Sequence, residues 1–376
     1  MKQARYFNRA CGTARLTWNW ALAKWNELYA SGQKPKATSI KKFFNSIKYE
    51  QFPWMKEIHR DAHSQPFSNL QKAFVSFFKK ASNHPKFKKK GKTRDSFYVA
   101  NDKFSLNGFE VKLPVVGRVR MTEQLRFSGK VMSAVVGREA DRWFISISVD
   151  VASNQEKRSD WKPIGVDLGL TTFAALSNGV KINSPKPLKA ATKRLRRVSK
   201  RHSRKHNGSS NRRKATLRLA RIHRRVKNIR HDFLNKLTTD LAKTHSHIGI
   251  EDLNTKGMMK NRKLSKAISD ASWSEFRRQL EYKTELYGSK LVVFDRFYPS
   301  SKRCSYCGSI LEELPLSVRE WTCLKCGTVH DRDINSAKNL EPTIDGLSRS
   351  NACGDHSLKD GRRSRNYPVS ISPLLT

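Results

Sequence analysis

The chain has 376 residues and a formal net charge of +43, from 75 lysines and arginines against 32 aspartates and glutamates. Its length allows about two or three domains with buried cores, but a compact chain of this charge repels itself unless a polyanion such as nucleic acid neutralises it. No apolar run approaches the ~18 residues of a membrane span, the N-terminus lacks the continuous apolar segment of a secretory signal, and six cysteines are too few for a disulfide scaffold. The composition therefore favours a cytosolic, nucleic-acid-binding protein over a membrane or secreted one.

Three segments within the first 92 residues carry apolar side chains at helical spacing. The first helix is predicted over residues 14–31 and ends at Gly32, and the second contains Ile40 and Ile47. The third is predicted to begin near Pro66, because proline suits the first turn of a helix. Aromatic residues recur at the same spacing, which predicts a packed helical core rather than a surface that stacks on bases.

A lysine-rich loop, residues 85–92, separates this helical unit from a region with strand periodicity. From Phe97 onward the apolar residues alternate in part, and a turn at 137–142 that contains Gly and Asp indicates a hairpin. We therefore predict a small antiparallel barrel or sandwich over residues 93–155, with a linker at 152–162.

Residues 168–231 contain no Asp or Glu and 20 Lys or Arg residues. Apolar residues within 187–243 step by three or four, which predicts a helical hairpin with one apolar seam and otherwise basic faces. A basic face is often merely solvated, but no acidic residue balances this one, so we expect it to contact phosphates of nucleic acid rather than a membrane surface. The arginines expected to do so are Arg194, Arg197, Arg212, Arg213, Arg221, Arg224 and Arg225.

Four cysteines form two knuckles, Cys304-x-x-Cys307 and Cys323-x-x-Cys326, and a glycine directly follows each. Two such pairs separated by 15 residues predict a closed tetrahedral zinc site. A closed site supports structure rather than attack on a substrate, because no coordination position stays open. Redox-active or free thiols are the alternative interpretation.

Three acidic residues lie at the edges of predicted elements. Asp167 lies inside an apolar strand, Glu251 ends another, and Asp333 lies near the start of a helix. Each alone could be a cap or an ion-pair partner, but together they can surround two divalent cations, and carboxylate ligands suit Mg²⁺ or Mn²⁺. Two such ions activate water and stabilise the leaving oxygen of a phosphodiester. Asp252 and Asp331 are neighbouring candidates that this pattern leaves open.

The order of these motifs resembles the TnpB (OrfB) proteins of bacterial insertion sequences. GVDLG around Asp167, IEDL around Glu251, and two CxxCG knuckles directly before HDRDINSAKN carry the resemblance. It extends over about residues 9–341 and includes the segments 12–19, 85–90, 269–273 and 299–302. Members of this family are transposon-encoded, RNA-guided DNA endonucleases related to the type V CRISPR nucleases.

The resemblance implies an α/β plus all-β architecture, in which a RuvC-like (RNase H-like) nuclease with an inserted zinc ribbon follows a small β-barrel wedge domain with a helical insertion. The catalytic acids fall on Asp167, Glu251 and Asp333. Asp333 is preferred to Asp331 because the family's acid directly precedes an x-Asn-x-Ala run. The implied divisions are a helical recognition unit (1–92), the wedge domain (93–155), the nuclease (160–298) with its basic hairpin (187–243), the zinc ribbon (299–328), the last nuclease helix (329–341) and a disordered tail (342–376).

The resemblance also implies cofactors and partners. The cofactors are a structural Zn²⁺ and catalytic Mg²⁺ or Mn²⁺, and the partners are a guide RNA from the transposon end and a target DNA duplex with a short adjacent motif. The implied location is the bacterial cytoplasm, in association with the nucleoid. Family members open with a barrel strand before the first helix, whereas this chain starts within that helix, so we expect an exposed sheet edge.

Two other functions compete with the RNA-guided endonuclease. One is a nucleic-acid-binding regulator that does not cut, and the intact set of acids argues against it. The other is a transposase that transfers DNA strands, since three metal-binding acids serve that reaction too. The zinc ribbon between the second and third acids, together with the resemblance, favours hydrolysis.

Overall fold

The computed structural model describes residues 2–151 and 161–342, and the backbone of residues 368–370. The chain divides into two compact units, residues 1–152 with 361–376 and residues 153–360. Most of the predicted linker and nearly all of the tail that was expected to be disordered lie outside the described residues. Among the described residues, no helix is long and apolar enough to cross a membrane.

Three helices of the first unit pack their aromatic faces together: α1 (Lys2–Ala30), α2 (Ala37–Gln51) and α3 (Arg60–Phe78). The predicted aromatic core is confirmed, because one buried cluster contains Trp18, Trp25, Phe44 and Phe74. Trp25 and Phe74 stack with their ring centroids 4.2 Å apart. These aromatic side chains therefore stabilise the helical unit and are not available to stack on bases.

Two of these helices begin earlier than predicted. Helix α1 starts at Lys2 because Phe7 and Cys11, one turn apart, form a second buried face in the core that contains the strands. Helix α3 starts at Arg60 and includes Pro66 in its interior. The His59 side chain accepts a hydrogen bond from the Asp61 N–H, and this cap fixes the start of α3 one and a half turns before the proline.

Two antiparallel sheets follow in the first unit, in the orders β1-β5-β6-β14 and β2-β3-β4. Their residues share one hydrophobic core, to which the N-terminal part of α1 also contributes. The ring centroids of Phe7 in α1 and Trp143 in β6, for example, lie 5.1 Å apart. The strands are β1 (Ser96–Ala100), β2 (Ser105–Asn107), β3 (Glu110–Leu113), β4 (Gly117–Arg120), β5 (Lys130–Glu139), β6 (Arg142–Asp150) and β14 (Pro368–Ser370).

The edge of β6 is paired rather than exposed. The backbone of Pro368–Ser370 adds to it in antiparallel register, with Val369 opposite Ile147. These three residues lie within the segment, 342–376, that was expected to be disordered. A strand edge presents unpaired N–H and C=O groups, and any extended segment that can reach it satisfies them.

The second unit is built on a five-stranded sheet in the order β11-β10-β7-β8-β9. The first three strands in this order run parallel and the last two are antiparallel to their neighbours. The buried residues of β7 and β10 share a core with α5, α7 and α8. The elements are β7 (Ile164–Leu168), β8 (Ala174–Leu176), β9 (Lys181–Ile182), α4 (Pro187–Ser203), α5 (Ser210–Thr244), β10 (His247–Glu251), α6 (Thr255–Met258), α7 (Ser265–Ala271), α8 (Trp273–Tyr287), β11 (Lys290–Phe294), β12 (Glu320–Thr322), β13 (Val329–Asp331) and α9 (Arg332–Asn339).

Helix α9 and the residue after it lie directly on this sheet at two glycines. A Cβ atom at Gly165 would stand 1.9 Å from the carbonyl oxygen of Ala337, and one at Gly249 would stand 1.8 Å from that of Leu340. No larger residue fits at either position unless the helix moves. Because residues i and i+2 of a strand share a face, the side chains two positions after these glycines point toward the side of the sheet that α9 covers.

The substitution Gly249→Ala should lower the free energy of unfolding of the chain by about 1–3 kcal/mol, because the new methyl group meets backbone and cannot be accommodated by a side-chain rotation. Chemical denaturation measures the change. The matched control is Gly12→Ala in α1, where the nearest atom to the new Cβ would be 4.0 Å away. The control should be neutral or slightly stabilising. Equal stability of the two variants would contradict the close contact at Gly249.

Candidate active site and metal centre

Asp167 lies near the end of β7, two residues after Gly165, and its Oδ1 accepts a hydrogen bond of 2.9 Å from the Ser336 hydroxyl of α9. Burial raises the pKa of Asp167 to about 7. The Ser336 hydrogen bond opposes this rise, while the negative charges of Asp333 and Glu251 add to it. The charges of Asp333 and Glu251 therefore act on Asp167, and a cation placed beside Asp167 would relieve that repulsion.

Glu251 ends β10, the parallel neighbour of β7. Ile250 pairs with Val166, so Glu251 and Asp167 follow at the same edge of the sheet. Burial raises the pKa of Glu251, and the charge of Asp252 raises it further. A cleft of about 170 Å³ opens beside Glu251, which is room for several water molecules.

Asp252, the alternative to Glu251, is committed to two ion pairs. Its two carboxylate oxygens accept hydrogen bonds from Arg277 and Arg296, the latter at 2.7 Å. The hydrogen bond from Arg296 is the main reason that the pKa of Asp252 is lowered. Because Arg277 and Arg296 already neutralise the negative charge of Asp252, this carboxylate is less suited to bind a metal ion.

Asp331, the alternative to Asp333, has a structural role at the start of α9. Its side chain accepts a hydrogen bond of 3.0 Å from the Ile334 N–H, which caps the helix, and it pairs with Lys181 at 2.6 Å. Burial opposes ionisation of Asp331, but the Lys181 and Ile334 hydrogen bonds lower its pKa overall. Asp333 lies in the first turn, with Arg319 at 3.5 Å.

The four cysteines come together as their spacing predicts, in a cluster that could hold a metal ion. Their sulfur atoms lie within 4.8 Å of one another, and no other group of three or more His, Cys, Asp or Glu residues in the described parts of the chain does so. Sulfur separations of 3.7 Å (Cys304 to Cys326) and 3.6 Å (Cys307 to Cys323) approach the ~3.8 Å edge of a tetrahedron with Zn–S bonds of about 2.3 Å. The cluster thus fits a metal such as zinc.

Neighbouring groups support the sulfur atoms. The Ser309 hydroxyl lies 3.1 Å from Cys323 Sγ and lowers the pKa of Cys323 to about 6, which favours the thiolate that a metal binds. Burial acts in the opposite direction at Cys304, where it raises the pKa to about 11 and so disfavours the thiolate. His330 Nε2 lies 3.0 Å from the Cys304 sulfur. His330 is buried against the ring of Trp321.

The basic hairpin consists of α4 and α5, and five of its seven predicted contact arginines are exposed: Arg194, Arg197, Arg213, Arg221 and Arg225. Arg212 is half-buried, and its guanidinium donates to the carbonyl oxygens of Lys205 and His202. Arg212 therefore closes the turn between the two helices. Arg224 is also half-buried.

Two residues that fix this hairpin were not predicted as functional. Buried Asp270 accepts hydrogen bonds from the N–H groups of Leu188 and Lys189 at the start of α4 and pairs with Arg230 of α5. Buried Lys283 of α8 donates to Thr238 and Thr239 of α5 and to other neutral oxygens, and its burial lowers its pKa to about 8. The sequence signal for Lys283 was its place on an apolar helical face; Asp270 lies in one of the segments that carry the family resemblance.

The lysine-rich loop of the first unit is held on α1. Trp18 Nε1 donates to the Lys86 carbonyl at 3.0 Å, and the Asn19 side chain pairs with both the N–H and the carbonyl of Lys88. The Lys88 ammonium also lies 4.0 Å from the Trp18 ring centroid. The loop is therefore fixed although its lysine side chains at 86, 89 and 90 are exposed.

Family models match three parts of the chain. Residues 146–262 match OrfB_IS605, described as "Probable transposase"; residues 273–340 match the Cas12f1-like TNB domain; and residues 1–34 match a helix-turn-helix domain of OrfB_IS605 proteins. A Streptomyces pristinaespiralis protein named "Putative RNA-guided DNA endonuclease" is 37% identical, over 98% of this chain and 92% of its own. This chain belongs to the TnpB family.

Another TnpB relative, InsQ of Escherichia coli (strain K12), carries the same description and is 28% identical over 96% of this chain and 93% of its own. Among solved structures, Cas12f1 in a complex with sgRNA and target DNA matches with a TM-score of 0.56 at 16% identity, over 90% of this chain and 82% of that one. The likeness shows a shared mixed α/β fold.

The substitution Cys304→Ser should release about one zinc ion per chain and loosen residues 304–326, while the antiparallel sheets of the first unit stay folded. Thiolate ligation contributes directly to the folding free energy of such a site. Metal analysis and hydrogen exchange measure the two effects. Wild-type protein purified without zinc would contradict the assignment of this centre.

Proposed function

We propose that this TnpB protein is an RNA-guided endonuclease that hydrolyses phosphodiester bonds of DNA. The proposal is supported by the positions of Asp167 and Glu251 at the ends of two neighbouring parallel strands, and by the charges of Glu251 and Asp333 acting on Asp167. Asp167 and the helix of Asp333 are joined directly by the Ser336 hydrogen bond. The descriptions of the full-length relatives support the same activity.

Asp167, Glu251 and Asp333 are the residues that would hold the catalytic divalent cations, Mg²⁺ or Mn²⁺. When bound, these cations supply Lewis-acid chemistry that activates water and stabilises the leaving oxygen. The chain itself orients the ligands: Ser336 fixes one oxygen of Asp167, since a hydrogen-bonded carboxylate keeps a single orientation. Arg277 and Arg296 keep Asp252 outside the ligand set.

The remaining assignments belong to the same proposal. Residues 160–298 and 329–341 form the RuvC-like nuclease, 299–328 the zinc ribbon, 93–155 the wedge domain and 1–92 the recognition unit. The partners are a guide RNA from the transposon end and a DNA duplex with a short adjacent motif, in the bacterial cytoplasm. The fold shared with a protein solved on sgRNA and target DNA supports partners of this kind.

The acids should be needed for cutting but not for guide binding, because affinity comes from many cations while the carboxylates hold only the metals. Asp167→Ala, Glu251→Ala and Asp333→Ala should each abolish cleavage of a guide-matched plasmid at physiological Mg²⁺, with RNA affinity nearly unchanged. Gel analysis of the plasmid and a filter-binding assay give the two readouts.

The controls for this experiment are Asp331→Ala and Asp252→Ala, whose carboxylates have structural partners; both variants should retain measurable cleavage. Loss of activity in Asp331→Ala but not in Asp333→Ala would reverse the choice within the Asp-Arg-Asp triplet. For the wild-type complex, linear plasmid indicates a nuclease, joined products indicate a transposase, and a mobility shift without cutting indicates a regulator.

RNA affinity should depend strongly on salt, with a loss on the order of 10³–10⁵ between low and moderate salt for ~6–10 phosphate contacts. Changing Arg221, Arg224 and Arg225 together to Gln should flatten the slope of log affinity against log salt by about one unit per lost contact. The same three positions changed to Lys keep the charge and should keep the slope. An unchanged slope in the Gln variant would show that these hairpin arginines do not contact the RNA phosphates.

A further inference from the structure

Asn335 of α9 joins this helix to the first cysteine knuckle. Its side chain is 1% exposed, and its Oδ1 accepts a hydrogen bond of 2.9 Å from the Ser305 N–H. Its Nδ2 donates to the carbonyl oxygen of Arg303 at 2.8 Å. The side-chain amide of Asn335 is therefore hydrogen-bonded to the backbone on both sides of Cys304.

Asn339, one turn further along α9, repeats this contact. Its Nδ2 donates to the carbonyl oxygens of Ser300 at 2.9 Å and of Arg303 at 2.6 Å. The second pair of cysteines is connected to α9 by the chain itself, since β13 runs directly into the helix. Helix α9 is thus attached to both arms of the cysteine centre, to one by peptide bonds and to the other by Asn335 and Asn339.

The same helix carries the contacts to the acid site. Asp333 lies two residues before Asn335, and Ser336, the next residue, donates to Asp167. A shift of the knuckle backbone around Cys304 would leave the buried amide of Asn335 without partners unless α9 followed it. Buried amide groups without hydrogen bonds are unfavourable, so the helix and the knuckle are expected to move together.

We propose that Asn335 is a positioning residue that couples metal occupancy of the four-cysteine centre to the placement of Asp333 and Ser336, and so to cation binding at the acid site. Only the acid-site half of this inference rests on the proposed function. A bound metal would fix the backbone turn around Cys304. The hydrogen bonds of Asn335 join this turn to α9, and α9 carries the carboxylate of Asp333. Coupling of this kind is reciprocal, so changes in Asn335 should be felt at both centres.

Three variants of the full chain test the coupling. Asn335→Asp keeps the acceptor for the Ser305 N–H but loses the donor to Arg303, and Asn335→Leu loses both. Lys338→Gln, at an exposed position on the same helix, changes the net charge by the same amount as Asn335→Asp and is the matched control. The readouts are zinc release to a chromophoric chelator and Mn²⁺ binding by electron paramagnetic resonance, neither of which needs cleavage.

Both Asn335 variants should lose zinc about 10–100-fold more readily than wild type, which is the usual effect of removing a group that orients metal ligands. Both should also bind Mn²⁺ more weakly at the acids, and zinc-stripped wild type should show the same weakening. Lys338→Gln should match wild type in both assays. If Asn335→Leu does not fold, Asn335→Asp carries the test.

Zinc release at the wild-type rate in the folded Asn335 variants would overturn the proposal, and so would faster release with unchanged Mn²⁺ binding. If wild type binds no Mn²⁺, the coupling is also wrong, because it has no second centre to act on. Failure of the proposed function is a different result: the two metal assays behave as expected, but the guide-loaded wild type leaves matched DNA uncut.

Discussion

The close contact of α9 with the strands β7 and β10 determines the arrangement of the second unit. Carbonyl oxygens of Ala337 and Leu340 occupy the space that side chains would fill at Gly165 and Gly249. Only glycine allows a helix to approach a sheet this closely, and the approach brings Ser336 within hydrogen-bonding distance of Asp167. In each strand the acid follows the glycine by two residues, so the two lie on the same face. The glycine makes room for the helix, and the carboxylate lies beside that helix.

A second principle of this unit is the division of its acidic residues between structural and chemical roles. The chain has 75 basic residues and 32 acidic ones, so cationic partners for carboxylates are plentiful. Asp252, Asp270 and Asp331 have such partners. Each of these carboxylates is neutralised by an arginine or a lysine and in turn holds that side chain in place. Asp167 is instead half-buried, with a neutral hydroxyl as its hydrogen-bond donor and the charges of two carboxylates outweighing that of Arg332, an environment that is unfavourable for its ionised form and favourable for a bound cation.

Local features were predictable from the sequence, and features set by distant partners were not. The cysteine centre depends on the spacing within two short motifs, and β7 depends on a five-residue apolar run, so both could be predicted. The start of α1 at Lys2 depends on strands far along the chain that cover Phe7 and Cys11, and no periodicity within the helix reveals them. The three acids could be proposed as a set, but their separation from Asp252 and Asp331 rests on Arg277, Arg296 and Lys181, whose proximity only the fold creates.

The anchoring of the lysine-rich loop on α1 has a thermodynamic consequence. The hydrogen bonds from Trp18 and Asn19 immobilise the loop backbone when the protein folds, before any ligand arrives. A free basic tail loses main-chain conformational entropy when it binds, whereas this loop has already lost that entropy on folding. Ordering of the main chain would therefore not oppose the electrostatic attraction to a polyanion. The fixed backbone also holds the Cα atoms of the lysines in a constant arrangement, so only their side chains would still have to be ordered by a ligand.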